Sequence, residues 1–323
     1  MIHIKDTKKI QLNSTERTAV ALGKFDGIHQ GHMLLIEQVL KLQKKGYMGV
    51  VFTFDVRENR VFDVSNMKTI YTSDEKAQVV SDTGVDVLVE YPFDDEFAAT
   101  EPKAFIRDVL VDMIRAGYVV VGSDYRFGRD RKGDVDTLKD YADEYGYKVI
   151  VIDKLEQDDE VVSSTVIRKN ISEGAVRSVI PMLGRPYSMT GEVVSGKQLG
   201  RTIGIPTANM LPEERKLYPP AGVYASRIRI VQGEHACHVD PFRVYKGITN
   251  IGDNPTVNDK GNITIETNIF DFDRDIYGQV IKVELIEKIR GEKKFGSLDE
   301  LKGQMANDIE NSKRILGNKV LVK

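Results

Sequence analysis

The chain has 323 residues but a single cysteine, Cys237, which excludes a framework of intrachain disulfides. It has no run of about 18 apolar residues and no apolar stretch behind its first residues, so we expect neither a transmembrane helix nor a signal peptide. The 46 basic and 49 acidic residues give a net charge of −3, without the basic excess of nucleic-acid-binding proteins. We therefore expect a cytoplasmic protein that binds small molecules rather than nucleic acid or membranes, and the sequence leaves self-association open.

Length and pattern together predict two domains, because single hydrophobic cores stop growing at about 250–300 residues. Residues 18–152 alternate β-branched runs with amphipathic segments, which predicts a parallel α/β sheet of the Rossmann-like kind. After residue 183 strand-like runs follow one another without helices between them, which predicts a small antiparallel β-barrel, closed by a C-terminal helix. We expect domains over residues 1–183 and 184–323.

Hydroxyl residues mark two predicted helix starts in the first domain. Thr72 and Glu75 have the spacing of a capping box. Thr100 stands two residues before Pro102, a residue that favours the first turn of a helix. We therefore expect Thr100 to cap the helix that follows.

The segment GKFDGIHQGH, residues 23–32, holds His29 and His32, two of the five histidines. It contains three glycines, which let a backbone approach a bound group closely: Gly23, Gly27 and Gly31. A helix start after this segment would favour an anion, to which both imidazoles could donate hydrogen bonds. No third histidine or cysteine is near, which disfavours a metal site. A purely structural role for the two histidines stays an alternative.

A second polar cluster lies in the segment VSSTVIR. Ser163, Ser164 and Thr165 form a hydroxyl-rich helix start, and Arg168 follows with a planar fork that suits phosphate oxygens. An ordinary capped helix with a solvated arginine would explain the segment equally well.

These motifs occur in a recognisable order with VEYPFDDEFA, VVVGSDYRFGRDRKGD and LGRPYSMTGEVV. Together they resemble the H-x-G-H nucleotidyltransferases and, over nearly the whole chain, the bacterial bifunctional riboflavin kinase/FMN adenylyltransferase family. The resemblance implies that the barrel transfers the γ-phosphate of ATP to riboflavin, with Mg²⁺ as the cofactor. It implies that the first domain transfers AMP from a second ATP to the resulting FMN, which gives FAD and pyrophosphate.

For the first domain the resemblance implies that His29, His32 and Arg168 act on the phosphates in the transition state. The implied ATP-binding residues are Gly23, Phe25, Asp26, Gly27, Gly31, Ser164 and Thr165. The implied flavin-binding residues are Asp124, Tyr125, Arg126 and Phe127. One departure is Phe54-Asp55-Val56-Arg57-Glu58, where the family usually has a Phe-x-Pro-His-Pro-like stretch.

For the barrel, LGRTIGIPTANM, residues 199–210, resembles the riboflavin kinase signature. It implies that Thr207 and Asn209 bind Mg²⁺ and that Glu266 is the base that accepts the proton of the riboflavin hydroxyl. The other implied contacts are with ATP phosphates at Gly196, Gly200, Arg201 and Gly204, and with the flavin at Asn250. Asn268 stands where the family often has a histidine, and a positioning role could survive there. Tyr224, Phe270 and Phe272 are candidates either for packing near the flavin ring or for the barrel core.

Other functions remain open from the residues alone. One activity could have been lost, the adenylyltransferase rather than the kinase because residues 54–58 are altered. The barrel could be a flavin-sensing module, although a sensor needs no base such as Glu266. The H-x-G-H motif also occurs in aminoacyl-tRNA ligases, but the chain has no Lys-Met-Ser-Lys-Ser-like loop. The segment GEVVSGKQ lacks the hydroxyl residue that would complete a Walker A motif.

Overall fold

The computed structural model describes residues 1–10, 12, 16–55, 68–157, 160–196, 204–232, 243–254 and 262–317. The chain divides into two compact units, Met1–Ser164 and Thr165–Lys323. The domain limit that we expect after residue 183 stays a prediction.

The first unit contains a parallel six-stranded sheet with the order β1-β4-β3-β2-β5-β6. The strands are β1 Ile2–Lys5, β2 Thr18–Leu22, β3 Met48–Asp55, β4 Val87–Pro92, β5 Ala116–Gly122 and β6 Lys148–Ile152. The parallel α/β sheet predicted for residues 18–152 is confirmed, with five strands from β2 to β6, and β1 is an addition at the edge. Because β2 lies between β3 and β5, the chain changes direction across the sheet at β2. Ligands of such sheets bind at the carboxyl ends of the strands beside this point.

Helices and turns connect these strands. The α-helices are α1 Gln30–Gln43, α2 Ser73–Ser81, α3 Asp95–Ala98, α4 Pro102–Ala104, α5 Val135–Asp140 and α6 Ala142–Tyr145. A π-helix, Phe105–Met113, continues α4, and a two-stranded ribbon is formed by β7 Glu156–Gln157 and β8 Glu160–Val161. The side chains of strand β2 are buried on both faces of the sheet. Val20 and Leu22 belong to one apolar core, whereas Ala19 and Ala21 belong to another on the opposite face.

The two predicted helix starts have different outcomes. The capping box of α2 is confirmed, because the Glu75 N–H donates to Thr72 Oγ1 at 3.2 Å and the Thr72 N–H donates to Glu75 Oε2 at 3.0 Å. The expectation for Thr100 is wrong, because Glu101 is the N-cap of α4 and has no side-chain cap bond. The Thr100 hydroxyl instead donates to the carbonyl of Glu96 in the preceding helix α3, at 3.4 Å.

The second unit contains a closed barrel in the order β10-β13-β12-β11-β14-β9, and every pairing in it is antiparallel. The strands are β9 Tyr187–Val194, β10 Ala208–Met210, β11 Gly222–Gln232, β12 Tyr245–Asn254, β13 Asn262–Ile269 and β14 Val280–Gly291. The predicted barrel is confirmed, and β10 is a short strand that the pattern did not reveal. Helices α7 Ser164–Ser172 and α8 Val176–Leu183 precede it, and α9 Leu298–Gly317 follows it. Leu316 of α9 packs against Ile248 and Phe270 on the outside of the barrel.

Candidate functional site

The two histidines meet at the beginning of α1, directly after the central strand β2. His29 is the N-cap of α1, and its Nδ1 accepts a hydrogen bond from the His32 N–H at 3.4 Å. The two rings are stacked with their centroids 3.8 Å apart and their planes 22° apart. Because Nδ1 accepts, the proton of the neutral ring is on Nε2.

The backbone before these histidines has positive φ values, which residues other than glycine rarely adopt. Phe25 and Ile28 have positive φ values of 46° and 42°, and both side chains are fully buried. Gly27 has φ 83°, and a Cβ there would stand 2.9 Å from Ile70 Cδ1. Such strained positions cost of order 1–3 kcal/mol each and cluster at functional sites. The loop is therefore held in shape by its surroundings, which is consistent with a ligand-binding turn.

Two further glycines leave room for the aromatic rings beside this loop. A Cβ at Gly31 would stand 3.1 Å from His29 Nδ1, and one at Gly23 would stand 3.1 Å from the ring of Phe25. The Phe25 ring in turn contacts His32, with a centroid distance of 4.9 Å. Gly23 and Gly31 therefore leave the space that the aromatic side chains need.

Asp26 connects this loop to two other segments. Its Oδ1 accepts from the Ile70 N–H at 2.9 Å, and its carbonyl accepts from the Ser164 hydroxyl at 2.8 Å. Asp26 is only 7% exposed. The structure therefore brings Ser164, at the start of α7, to the histidine loop. Thr165 and Arg168 follow on the same helix.

The residues predicted to bind flavin follow β5, the neighbour of β2, and they separate into two pairs. Asp124 and Arg126 are exposed and form ion pairs, with Lys154 at 3.0 Å and with Asp134 at 2.7 Å. Tyr125 and Phe127 are stacked with a centroid distance of 5.7 Å. Burial raises the pKa of the Tyr125 hydroxyl far above its ordinary value. This hydroxyl has no hydrogen-bond partner among the residues that the structure describes.

An aromatic cluster continues from Tyr125 and Phe127 along the carboxyl ends of β3 and β4. Phe105 contacts Phe127 at a centroid distance of 5.2 Å, and Phe97 contacts Phe54 at 5.6 Å. The other members of this aromatic cluster are Phe52, Tyr91 and Phe93. No sequence pattern predicted this cluster, although the segment YPFDDEF carries three of its members. Phe54 and Asp55 end β3, and residues 56–58 of the altered loop lie outside the described residues.

In the barrel, three predicted site residues face one another across neighbouring strands. Glu266 of β13 is paired with Asn209 of β10 on one side and with Asn250 of β12 on the other. Directly opposed residues point to the same face of a sheet. Ile265 and Thr267 are each 1% exposed whereas Glu266 is half-buried, so Glu266 faces away from these two neighbours. The three side chains thus form a polar row on the outer face of the barrel.

A pocket of about 410 Å³ opens beside β10 and includes two further predicted residues, Gly204 and Thr207. Its other lining residues are Val193, Pro206, Ala208, Thr267, Ile269, Phe272 and the segment 273–277. Most of these lining residues were not predicted from the sequence. A Cβ at Gly196 would overlap the amide of Asn209, so the glycine-rich backbone passes directly over this side chain. Gly200 and Arg201 lie outside the described residues.

The donor atoms near β10 fit Mg²⁺. Thr207 offers a hydroxyl oxygen and Asn209 an amide oxygen, which are the hard ligands that this ion prefers. Among the described residues no group of three or more His, Cys, Asp or Glu side chains could hold a metal. Such a sparse set suits Mg²⁺, which keeps several waters and takes further ligands from substrate phosphates.

The aromatic candidates of the barrel have three different environments. Tyr224 is fully buried, its hydroxyl donates to the Pro220 carbonyl at 2.6 Å, and burial raises its pKa. Phe270 packs on the outer face of the barrel with Leu316 of α9. Phe272 lines the pocket beside Thr207. Of the three, Phe272 is therefore the one that lines this pocket.

Comparison with known proteins assigns each of the two parts of the chain to a family. Residues 11–166 match the FAD synthetase family, and residues 183–316 match the riboflavin kinase family. The chain is 33% identical over 322 residues to the bifunctional riboflavin kinase/FMN adenylyltransferase of Bacillus subtilis, with 98% of both chains covered. It is 34% identical over 304 residues to the protein of the same name from Escherichia coli K12, with 94% of both covered.

A solved structure from Streptococcus pneumoniae, described as a macrolide-efflux protein, has a TM-score of 0.82 and 33% identity. The alignment covers 97% of this chain and 98% of that chain. In the described part of our chain, none of the helices is long and apolar enough to cross a membrane. The two family matches divide the chain as the parallel sheet and the barrel do, and the curated relatives are covered nearly from end to end. The chain therefore belongs to the bifunctional riboflavin kinase/FMN adenylyltransferase family.

Proposed function

We propose that the chain phosphorylates riboflavin to FMN at the polar row of the barrel and adenylylates FMN to FAD at the histidine loop. The observation that carries the proposal is the separate chemistry of the two sites. Stacked imidazoles at a helix start suit a transferring phosphate, whereas a carboxylate beside two amides suits deprotonation of a hydroxyl. The presence of both family domains favours two activities over the loss of one.

In the adenylyl transfer, an oxygen of the FMN phosphate attacks the α-phosphorus of ATP. The bond from this phosphorus to the bridging oxygen breaks, and pyrophosphate leaves. His29 and His32 donate hydrogen bonds to phosphate oxygens as charge builds up, and the N–H groups at the start of α1 add to this field. By resemblance to the family, Ser164, Thr165 and Arg168 would also bind phosphate oxygens. The reaction needs positioning and charge stabilisation rather than a protein nucleophile.

The aromatic cluster supports a flavin site next to these phosphates. Tyr125 and Phe127 lie on the segment after β5, the strand beside β2, and Phe54, Phe93 and Phe97 extend the apolar surface. Aromatic faces of this kind bind flat conjugated rings by stacking. We propose that the flavin ring of FMN lies against this cluster.

In the phosphoryl transfer, Glu266 accepts the proton of the riboflavin 5′-hydroxyl, whose oxygen attacks the γ-phosphorus of ATP, and ADP leaves. Asn250, paired with Glu266, is placed to orient the flavin side chain. Thr207 and Asn209 would hold Mg²⁺, which neutralises phosphate charge when it is bound. Gly196, Gly200, Arg201 and Gly204 would contact the phosphates of ATP.

Chromatography of the flavin products tests this function directly. The purified chain is incubated with ATP and Mg²⁺, with riboflavin in one reaction and with FMN in another. We expect FMN and then FAD in the first reaction, and FAD in the second. If FMN accumulates and is never converted, the adenylyltransferase is inactive. The altered residues 54–58 are then the first cause to test. Both reactions consume ATP, in keeping with the predicted cytoplasmic location, and self-association stays a prediction to be tested by light scattering.

A further inference from the structure

The side chain of Asn268 makes an unusual connection beside the kinase site. Asn268 lies on β13, two residues after Glu266, and is only 7% exposed. Its Nδ2 donates a hydrogen bond of 2.7 Å to the carbonyl oxygen of Pro206. A carbonyl oxygen only accepts, so the chemistry requires the amide nitrogen at this position.

Pro206 lies just beyond the end of the backbone pairing between β10 and β13. The paired residues are Ala208 with Thr267, Asn209 with Glu266, and Met210 with Ile265. Proline has no N–H to extend such a pairing. The Asn268 side chain therefore adds a hydrogen bond between the two segments at a point that the backbone pairing does not reach.

We propose that Asn268 is a positioning residue of the kinase reaction, which holds the segment of Thr207 and Asn209 in a fixed place relative to Glu266. This inference rests on the proposed roles of those three residues. Asn268 and Glu266 point to the same face of β13 because side chains alternate along a strand. The bond to Pro206 ties the residue immediately before Thr207 to the strand that carries the base.

The consequence for catalysis follows from geometry. Thr207 is not among the paired residues of β10, so backbone pairing alone does not restrain it. Phosphoryl transfer depends on the alignment of hydroxyl, phosphorus and leaving group, and small displacements of positioning groups are costly. Loss of the Asn268 bond should therefore weaken binding of the magnesium nucleotide while the base remains present.

The same bond explains how asparagine can stand where family members often have histidine. The Nδ2 of asparagine and the Nδ1 of histidine are separated from Cβ by the same number of bonds, so both can donate to one carbonyl. Position 268 then requires a side chain that donates an N–H, and it does not require one that gains or loses a proton. Histidine at this position should preserve the function, whereas an apolar side chain of equal size should not.

The test compares Asn268→Leu, which removes the donor, with Asn268→His, which restores one. Binding of ADP with Mg²⁺ is measured by calorimetry, and the kinase is measured as kcat and KM for ATP and for riboflavin. We expect the nucleotide Kd and KM to rise about three- to tenfold in Asn268→Leu, the scale of one lost hydrogen bond, with little change in the KM for riboflavin. Asn268→His should return the nucleotide Kd to near the wild-type value.

Ser312→Ala is the matched control, because it removes another buried bond from a side chain to a barrel carbonyl, the 2.9 Å bond from Ser312 Oγ to Gly247. It should lower thermal stability without changing nucleotide binding. If Asn268→Leu behaves as Ser312→Ala does, or if histidine does not restore binding, Asn268 is merely structural. Asn268→Ser, too short to reach Pro206, replaces the leucine variant if that fails to fold. A wild-type chain without kinase activity would instead contradict the proposed function itself.

Discussion

At the scale of single residues, the His29 imidazole has two separable duties. Its Nδ1 accepts from the His32 N–H and caps α1, and we propose that its other nitrogen, Nε2, donates to a phosphate oxygen. The stacked contact with His32 keeps the two rings together at 3.8 Å. The pair thus has a structural role, and under the proposed function the same stacking would orient both rings for one anion.

Replacing His29 with alanine should therefore disable one reaction only. We expect FAD formation from FMN to fall by about 10²–10³, the usual loss for a donor that stabilises developing charge, with FMN formation unchanged. The measurement is the initial rate of each reaction with purified protein. His3→Ala on the edge strand β1 is the control and should leave both rates close to wild type. An equal loss of both activities in His29→Ala would indicate misfolding instead.

Glu266 is the corresponding residue of the barrel. In Glu266→Gln the side chain keeps its shape but cannot accept a proton, so kcat for riboflavin phosphorylation should fall by about 10²–10⁴. Riboflavin binding, measured by quenching of flavin fluorescence, should persist. Glu287→Gln on β14, where the carboxylate pairs with Arg177, should leave kcat unchanged. An unchanged kcat in Glu266→Gln would remove Glu266 from the role of base.

At the scale of elements, the C-terminal helix α9 is anchored to the barrel by one buried ion pair. Arg290 of β14 donates to Asp308 of α9 from Nε at 3.0 Å and from Nη2 at 2.8 Å, and Gln304 adds a bond at 2.9 Å. Asp308 is 1% exposed. A carboxylate so deeply buried depends on its partners, because an unpaired charge there would be costly.

Arg290→Met should accordingly destabilise the second unit by about 3–5 kcal/mol, because it leaves the Asp308 carboxylate buried without its cation. The measurement is unfolding in urea, followed by circular dichroism. Arg314→Met, at an exposed arginine of the same helix, should change stability by less than about 0.5 kcal/mol. The double variant Arg290→Met with Asp308→Leu should regain much of the loss. If it does not, the ion pair is not the cause.

At the scale of the whole molecule, His29 and Glu266, the residues proposed for the two reactions, lie in separate units with separate cores. The His29→Ala and Glu266→Gln chains each retain one intact unit. Mixed in equal amounts with riboflavin, ATP and Mg²⁺, they should form FAD, although neither does so alone. The FAD rate should rise with protein concentration, because FMN must pass from one chain to the other. Failure of the mixture, with each partner active in its own reaction, would mean that FMN is not released.

Much of this architecture was readable from the sequence. The change from alternating strands and helices to consecutive strands near residue 183 predicted a parallel sheet and a barrel, and both are present. Two strands were missed. Strand β1 has only four residues at a sheet edge, and β10 has only three. Segments this short carry too few side chains to show a period, and their pairing with distant strands is what makes them strands.

The sites divide in the same way. Residue types alone indicate which residues could carry chemistry, because the histidine loop and the segment 206–209 are contiguous motifs whose side chains limit what they can bind. The row of Asn209, Glu266 and Asn250 and the bond from Asn268 to Pro206 follow from the tertiary structure instead. The tertiary structure also brings aromatic side chains of β3, of β4 and of the segments after β4 and β5 into one cluster. These contacts join segments far apart in the chain, and their existence depends on sheet order and barrel closure, which no local pattern of residues encodes.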